Sequence, residues 1–170
     1  MLPNTIKTSI RSVPGRKIFP SAIARGFDLQ TATFSTTRSS KMTEIKTIST
    51  PKAAQPVAPY SQAVQAGPHI FVSGQIPADA AGNLVEGSIA DKTTVCCEGL
   101  KNILEAAGSS ISRVVKVTVF LTSMDNFAEM NGVYEKYFGQ HKPARSCVAV
   151  KELPKGVPVE LECIALSGSG

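Results

Sequence analysis

Histidine is nearly absent from this chain, and its few cysteines show no paired spacing. The two histidines, His69 and His141, lie far apart, and the four cysteines (Cys96, Cys97, Cys147, Cys163) include no C-x-x-C. Tetrahedral zinc draws on clustered Cys and His ligands, so this spacing supports no metal centre. Cys96 and Cys97 are adjacent, which is poor geometry for a disulfide within one element. A disulfide framework is therefore unsupported, and a reducing compartment is the simpler reading. No stretch approaches the roughly 20 consecutive apolar residues of a membrane span. A basic tract of the kind that follows a nucleic-acid backbone is missing too, as is an RNA-binding aromatic motif.

The net charge of +5 does not contradict that last point, because it is concentrated at one end. Residues 1–41 hold seven basic side chains (Lys7, Arg11, Arg16, Lys17, Arg25, Arg38, Lys41) and one acid, Asp28. The remainder holds eleven basic and twelve acidic residues, a net of −1. Residues 1–41 are rich in Arg, Ser and Thr and have no apolar core, which fits an organelle transit peptide better than a secretory signal. Spaced basic residues point to a mitochondrion; the Ser and Thr content keeps a plastid open, and a disordered basic tail is the plain alternative. Met42 would allow a cytosolic form to start there. Residues 42–170 then make one domain, long enough for a real core, and the 42% apolar content of the whole chain fits an ordinary fold.

Within that domain the apolar periodicity alternates between strand and helix. Residues 44–49 read as a short strand, and residues 60–66 and 69–76 as a hairpin about the Gly67-Pro68 turn. Residues 77–87 read as a loop. Cys96, Leu100, Ile103, Leu104 and Ala107 share one face of a helix, with Ser88 and Asp91 as a capping box and Gly108 as its stop. Residues 113–122 alternate as a strand, with Val115, Val117, Val119 and Leu121 on one face. Phe127, Met130, Tyr134, Tyr137 and Phe138 form a second helical stripe that ends at Gly139. The order β-β-β-α-β-α-β-β predicts an α+β domain of two layers, helices over one face of a sheet.

The last two strands carry the chemistry. Arg145 lies in Pro143-Ala144-Arg145-Ser146-Cys147, ahead of the apolar Val148 and Val150. Residues 158–166 follow, with Glu160 and Glu162 on the face opposite Val159, Leu161 and Cys163. A planar guanidinium at the mouth of a sheet suits a small carboxylate, because its donors grip both oxygens at once. A carboxylate on a neighbouring strand could act on water or on a proton; a purely structural Arg–Glu pair is equally open here. Asn131 falls within the apolar stripe of the second helix. Its amide needs a partner there, either a nearby carbonyl or a ligand or subunit.

Six ordered segments match one family: Ala58-Pro59-Tyr60-Ser61-Gln62, Val72-Ser73-Gly74-Gln75-Ile76-Pro77, Glu105-Ala106-Ala107-Gly108, Val117-Thr118-Val119-Phe120-Leu121, Pro143-Ala144-Arg145-Ser146-Cys147-Val148 and Val159-Glu160-Leu161-Glu162-Cys163-Ile164-Ala165. Over residues 44–167 the chain resembles the RidA (YjgF/Rid, RutC-like) family of enamine/imine deaminases. The resemblance implies a chorismate-mutase-like fold assembled as a homotrimer, with ligand clefts between subunits and no metal or organic cofactor. It implies hydrolysis of 2-aminoacrylate/2-iminopropanoate and 2-iminobutanoate, released by pyridoxal-phosphate enzymes, to 2-oxo acids and ammonia. Carried over position by position, Arg145 would hold the substrate carboxylate and Glu160 would handle water and protons. Tyr60 and Ser73 would bond the substrate or the water, and Gly74 would let the ligand approach the backbone. Asn131 would face the site, and Cys147 would form a wall.

Three other readings compete. Covalent catalysis by Cys147 would need a nearby base, and neither histidine matches a functional position of the family. The family has also carried translation-inhibitor and endoribonuclease labels, which the charge of residues 42–170 argues against. A non-catalytic member that binds metabolites or proteins is the third.

Overall fold

The computed structural model describes residues 44–168, so residues 1–41, read as a leader, lie outside the described residues. Six strands and two helices follow the predicted order: β1 (Ile45–Ile48), β2 (Ala63–Ala66), β3 (His69–Gln75), α1 (Ile89–Ala106), β4 (Val114–Leu121), α2 (Phe127–Phe138), β5 (Ala144–Ala149) and β6 (Val159–Leu166). The strands make one mixed sheet in the order β1-β2-β3-β6-β4-β5. All neighbours run antiparallel except β4 and β5, which are parallel and are joined through α2. The domain is α+β with two layers.

Both helices lie on the face of the sheet whose inward residues are mostly apolar; the other face mixes Phe71, Phe120, Val148 and Ile164 with polar side chains. Val159, Leu161, Cys163 and Ala165 of β6 are buried, and the residues alternating with them are half-exposed. Helix α1 answers with Cys96, Leu100, Ile103 and Leu104, all fully buried. Each such leucine or isoleucine contributes about 1.5–3 kcal/mol by leaving water. The adjacent Cys96 and Cys97 are both buried because α1 packs against the sheet on one side and α2 on the other. Ser88 caps α1 through the predicted box with Asp91, and Glu129 of α2 accepts a hydrogen bond from the Ala90 N–H at 2.8 Å. Gly108 takes φ +70° just past α1, where a side chain would be strained.

Two expectations need correction. The second strand begins at Ala63 rather than residue 60, because Gln62 is buried and serves the preceding loop. Its Oε1 accepts from the Thr50 N–H at 2.6 Å, and its Nε2 donates to the carbonyl of Ala54 at 2.9 Å. The β4 alternation also slips. Val114 is buried and Val115 is 42% exposed, because the pairing with β6 shifts register between Val114 and Lys116. A bulge inserts one residue, so the inward set is Val114, Val117, Val119 and Leu121.

Candidate active site

The sheet divides the nominated residues into two groups. Tyr60, Ser73, Gly74 and Glu160 line one cavity of about 530 Å³, together with Val57, Ala58, Ile76, Pro154, Lys155 and Glu162. Glu160 and Glu162 project here because β6 turns its alternate residues away from the helices. Tyr60 sits in the loop that Gln62 ties down and is 50% exposed. Ser73 Oγ donates to the Ser61 carbonyl at 2.7 Å, and the Ser73 N–H donates to the Gln62 carbonyl at 3.0 Å. The register of β3 against β6 shifts between Val72 and Gln75, so Ser73 and Gly74 lie in a bulge opposite Glu162, and the Glu160 side chain reaches across to Gly74.

Gly74 lies directly against the Glu160 side chain. A Cβ there would overlap the Glu160 carboxylate, with the carboxyl carbon only 2.8 Å away. Its φ lies outside the left-handed region, so a side chain there would crowd the Glu160 carboxylate rather than strain the backbone. The carboxylate seated there is itself perturbed. Burial raises the Glu160 pKa above its ordinary value, and the neighbouring Glu162 charge raises it further.

Arg145, Asn131 and Tyr134 belong to a second cavity of about 420 Å³, shared with Glu135, Phe138, Gly139, Lys142 and Pro143. The guanidinium is held before any ligand arrives. Arg145 Nη1 donates to Asn131 Oδ1 at 2.7 Å, and Cζ lies 4.5 Å from the centroid of the Tyr134 ring. Phe127 flanks it at 5.7 Å. The amide in the apolar stripe thus has a partner that the sequence reading did not name. Tyr134 was legible only as a core residue. Its spacing of one turn from Asn131 was the available signal for a role under the same cation. Cys147, two residues on, is half-buried against the core, and burial pushes its thiol pKa up against a smaller downward pull from Arg145. Reactive cysteines carry a lowered pKa, and the surroundings of Cys147 act in the other direction.

The structure does not bring Arg145 to Glu160 within one chain. The expectation of a neighbouring-strand carboxylate fails because β4 lies between β5 and β6. Arg145 pairs with Val117, whose side chain faces the helices, while Glu160 pairs with Phe120 on the opposite face. Two interstrand spacings, about 10 Å, and the thickness of the sheet separate them.

Comparison with known proteins puts these residues in a named setting. The family described as endoribonuclease L-PSP matches residues 50–167, nearly all of the described residues. The chain belongs to this family. It is 56% identical over 117 residues to protein HMF1 of Saccharomyces cerevisiae, covering 69% of this chain and 88% of that one. The mitochondrial protein MMF1 of the same yeast is 47% identical over 125 residues, covering 74% and 86%. The crystal structure of yeast Mmf1 superposes with a TM-score of 0.72 at 46% identity, covering 74% of this chain and all of that one. A mouse relative, 43% identical over 124 residues (72% and 92% covered), is named 2-iminobutanoate/2-iminopropanoate deaminase. The RutC-like family membership expected from the six segments is therefore shown.

Proposed function

We propose that the chain is a 2-imino acid deaminase whose site forms between two copies of itself. The observation that carries the reading is the pair of preorganised half-sites. A guanidinium is stacked and hydrogen-bonded on one face of the sheet, and a desolvated carboxylate is seated at Gly74 on the other. Neither half can do the chemistry on a small substrate alone, and they point away from each other. A second copy that brings its Glu160 to this chain's Arg145 completes the set.

The open face of the sheet supports such an assembly. Phe71 and Val148 are 45% and 43% exposed there, beside the half-buried Phe120 and Ile164. Cross-strand register sets them as two apolar pairs, Phe71 with Ile164 and Phe120 with Val148, with Thr118 and Glu162 between, and apolar side chains this exposed suit a cover. A closed ring of three copies, the expected homotrimer, would cover every such face and make three equivalent sites.

In this reading the substrate carboxylate lies on Arg145, which leaves the imine carbon facing Glu160 of the second copy. Ionised Glu160 accepts a proton as water adds to the C=N carbon, then returns a proton to nitrogen. The carbinolamine hydroxyl then gives up its proton as C=O forms and the C–N bond breaks, that proton passes to the departing nitrogen, and the products are a 2-oxo acid and ammonia. No metal or organic cofactor takes part in these steps. Tyr60 and Ser73 orient the water and the nitrogen, and Cys147 walls the carboxylate end. The mouse relative's name supports imine rather than RNA chemistry, as does the near-balanced charge of residues 42–170. The test is the full chain added to a threonine dehydratase reaction. We expect 2-oxobutanoate and ammonia to appear faster than by unaided hydrolysis. A rate equal to background would favour the non-catalytic binding reading.

Residues 1–41 act in this proposal as a mitochondrial targeting segment. Their Arg-rich, acid-poor composition and the mitochondrial names of two fungal relatives support it. A fusion of residues 1–41 to a fluorescent protein tests it; uniform cytosolic signal would count against it, and plastid signal would move the assignment.

A further inference from the structure

Lys142 is the feature of the Arg145 cavity that the proposed reaction on a monocarboxylate leaves unused. It has φ +50°, although it is neither glycine nor asparagine and stands directly before Pro143. Residues before proline favour extended backbone, and non-glycine residues avoid the left-handed region. Helix α2 ends at Gly139 in right-handed geometry, and the left-handed step comes three residues later, where the Lys142 N–H donates to the Phe138 carbonyl at 2.8 Å.

The consequence is positional. Residues three apart on a continuous strand project to opposite faces. The left-handed turn breaks that alternation, so Lys142 lines the same cavity as Arg145. Glycine would make this turn without strain; a long cation stands there instead. Glu135, the one acid lining the cavity, forms an ion pair with neither cation among the described residues. Two cations against one carboxylate leave this chain's half of the site positive, ready to be met by the second copy's Glu160 and an anionic substrate.

We propose that Lys142 makes this cavity a two-point anion site, extending the chain's substrates to 2-imino dicarboxylates. The inference rests on the deaminase reading above. Arg145 would take the carboxylate next to the imine, and Lys142 the distal one. The C=N bond is hydrolysed as before, with one water consumed and a 2-oxo diacid and ammonia released.

The experiment compares two imines with the full chain: 2-iminosuccinate, generated from L-aspartate by an amino-acid oxidase, and 2-iminobutanoate, generated by threonine dehydratase. The readout is the ratio of their kcat/KM values. In Lys142→Gly, which keeps the turn and relieves its strain, we expect that ratio to fall about fivefold, the size of a partly screened ion pair. Lys142→Arg should restore it. Calorimetry with oxaloacetate and 2-oxobutanoate reads the same preference without turnover. Acceleration of 2-iminobutanoate with no Lys142-dependent difference in either ratio overturns this inference alone. A Lys142-dependent preference for the diacid in binding, with neither imine accelerated, supports the two-point site and overturns the deaminase reading instead.

Discussion

The carboxylate of Glu160 fills the space that a side chain at residue 74 would need. The two residues lie on adjacent strands, β6 and the bulged end of β3, and one is small because the other is large and charged. This pairing makes Gly74 a positioning residue for the carboxylate, and four predictions follow from it and from its counterpart at Arg145.

Gly74→Ala should push the Glu160 carboxylate from its seat. Overpacking of this kind costs about 1–3 kcal/mol, and the backbone at 74 needs no left-handed conformation to explain a loss. We expect a lower melting temperature and a fall in kcat larger than any rise in KM. Full activity in Gly74→Ala would show that the carboxylate position is unimportant.

Glu160→Gln should separate stability from activity. The raised pKa of Glu160 means that the folded chain holds its proton more tightly than the unfolded chain. That favours the folded state below the ordinary carboxylate pKa and is lost as pH rises through the raised value. At pH 7 the ionised group therefore destabilises the fold, and Gln should melt at or above wild type, with the advantage shrinking as pH falls. Turnover should drop about 10²–10⁴-fold, the usual contribution of general acid–base help. Wild-type turnover should rise with pH on its acid limb as Glu160 ionises. Melting curves and rates across pH 4–8 check both signs.

Arg145→Ala should cost about 2–5 kcal/mol in kcat/KM, the range for truncating one partner of a desolvated charge pair. Arg145→Lys should recover little, because a point charge can neither stack flat on Tyr134 nor fork to a carboxylate while bonding Asn131. Size-exclusion chromatography should give the same assembly for both variants. Wild-type turnover by either one would remove the carboxylate role.

A shared site makes a prediction that no single-chain site makes. Arg145→Ala and Glu160→Gln should each be inactive, yet equal amounts dissociated and reassembled together should recover about a quarter of wild-type activity, because random pairing rejoins an intact Arg145 with an intact Glu160 at that frequency. Activity that stays at the level of the separate variants would mean that both groups act from one chain.

The element order, the apolar faces of α1 and α2, the Ser88–Asp91 cap and the alternation in β6 were all legible in the residues, because each depends on neighbours within a few positions. Arg145, Glu160 and Asn131 could be nominated for the same reason: a guanidinium, a carboxylate and an amide stand out against local apolar patterns. Their arrangement could not be read. The order β6-β4-β5 places an intervening strand between Arg145 and Glu160, and strand order depends on how the whole chain packs rather than on any segment of it. The bulge that exposes Val115 and the one at Ser73 and Gly74, opposite Glu162, arise from cross-strand register, which a single strand's sequence does not contain. The turn at Lys142 is likewise invisible, since lysine before proline predicts extended backbone. Local chemistry thus chose the groups; only long-range packing decided which face of the sheet each one serves.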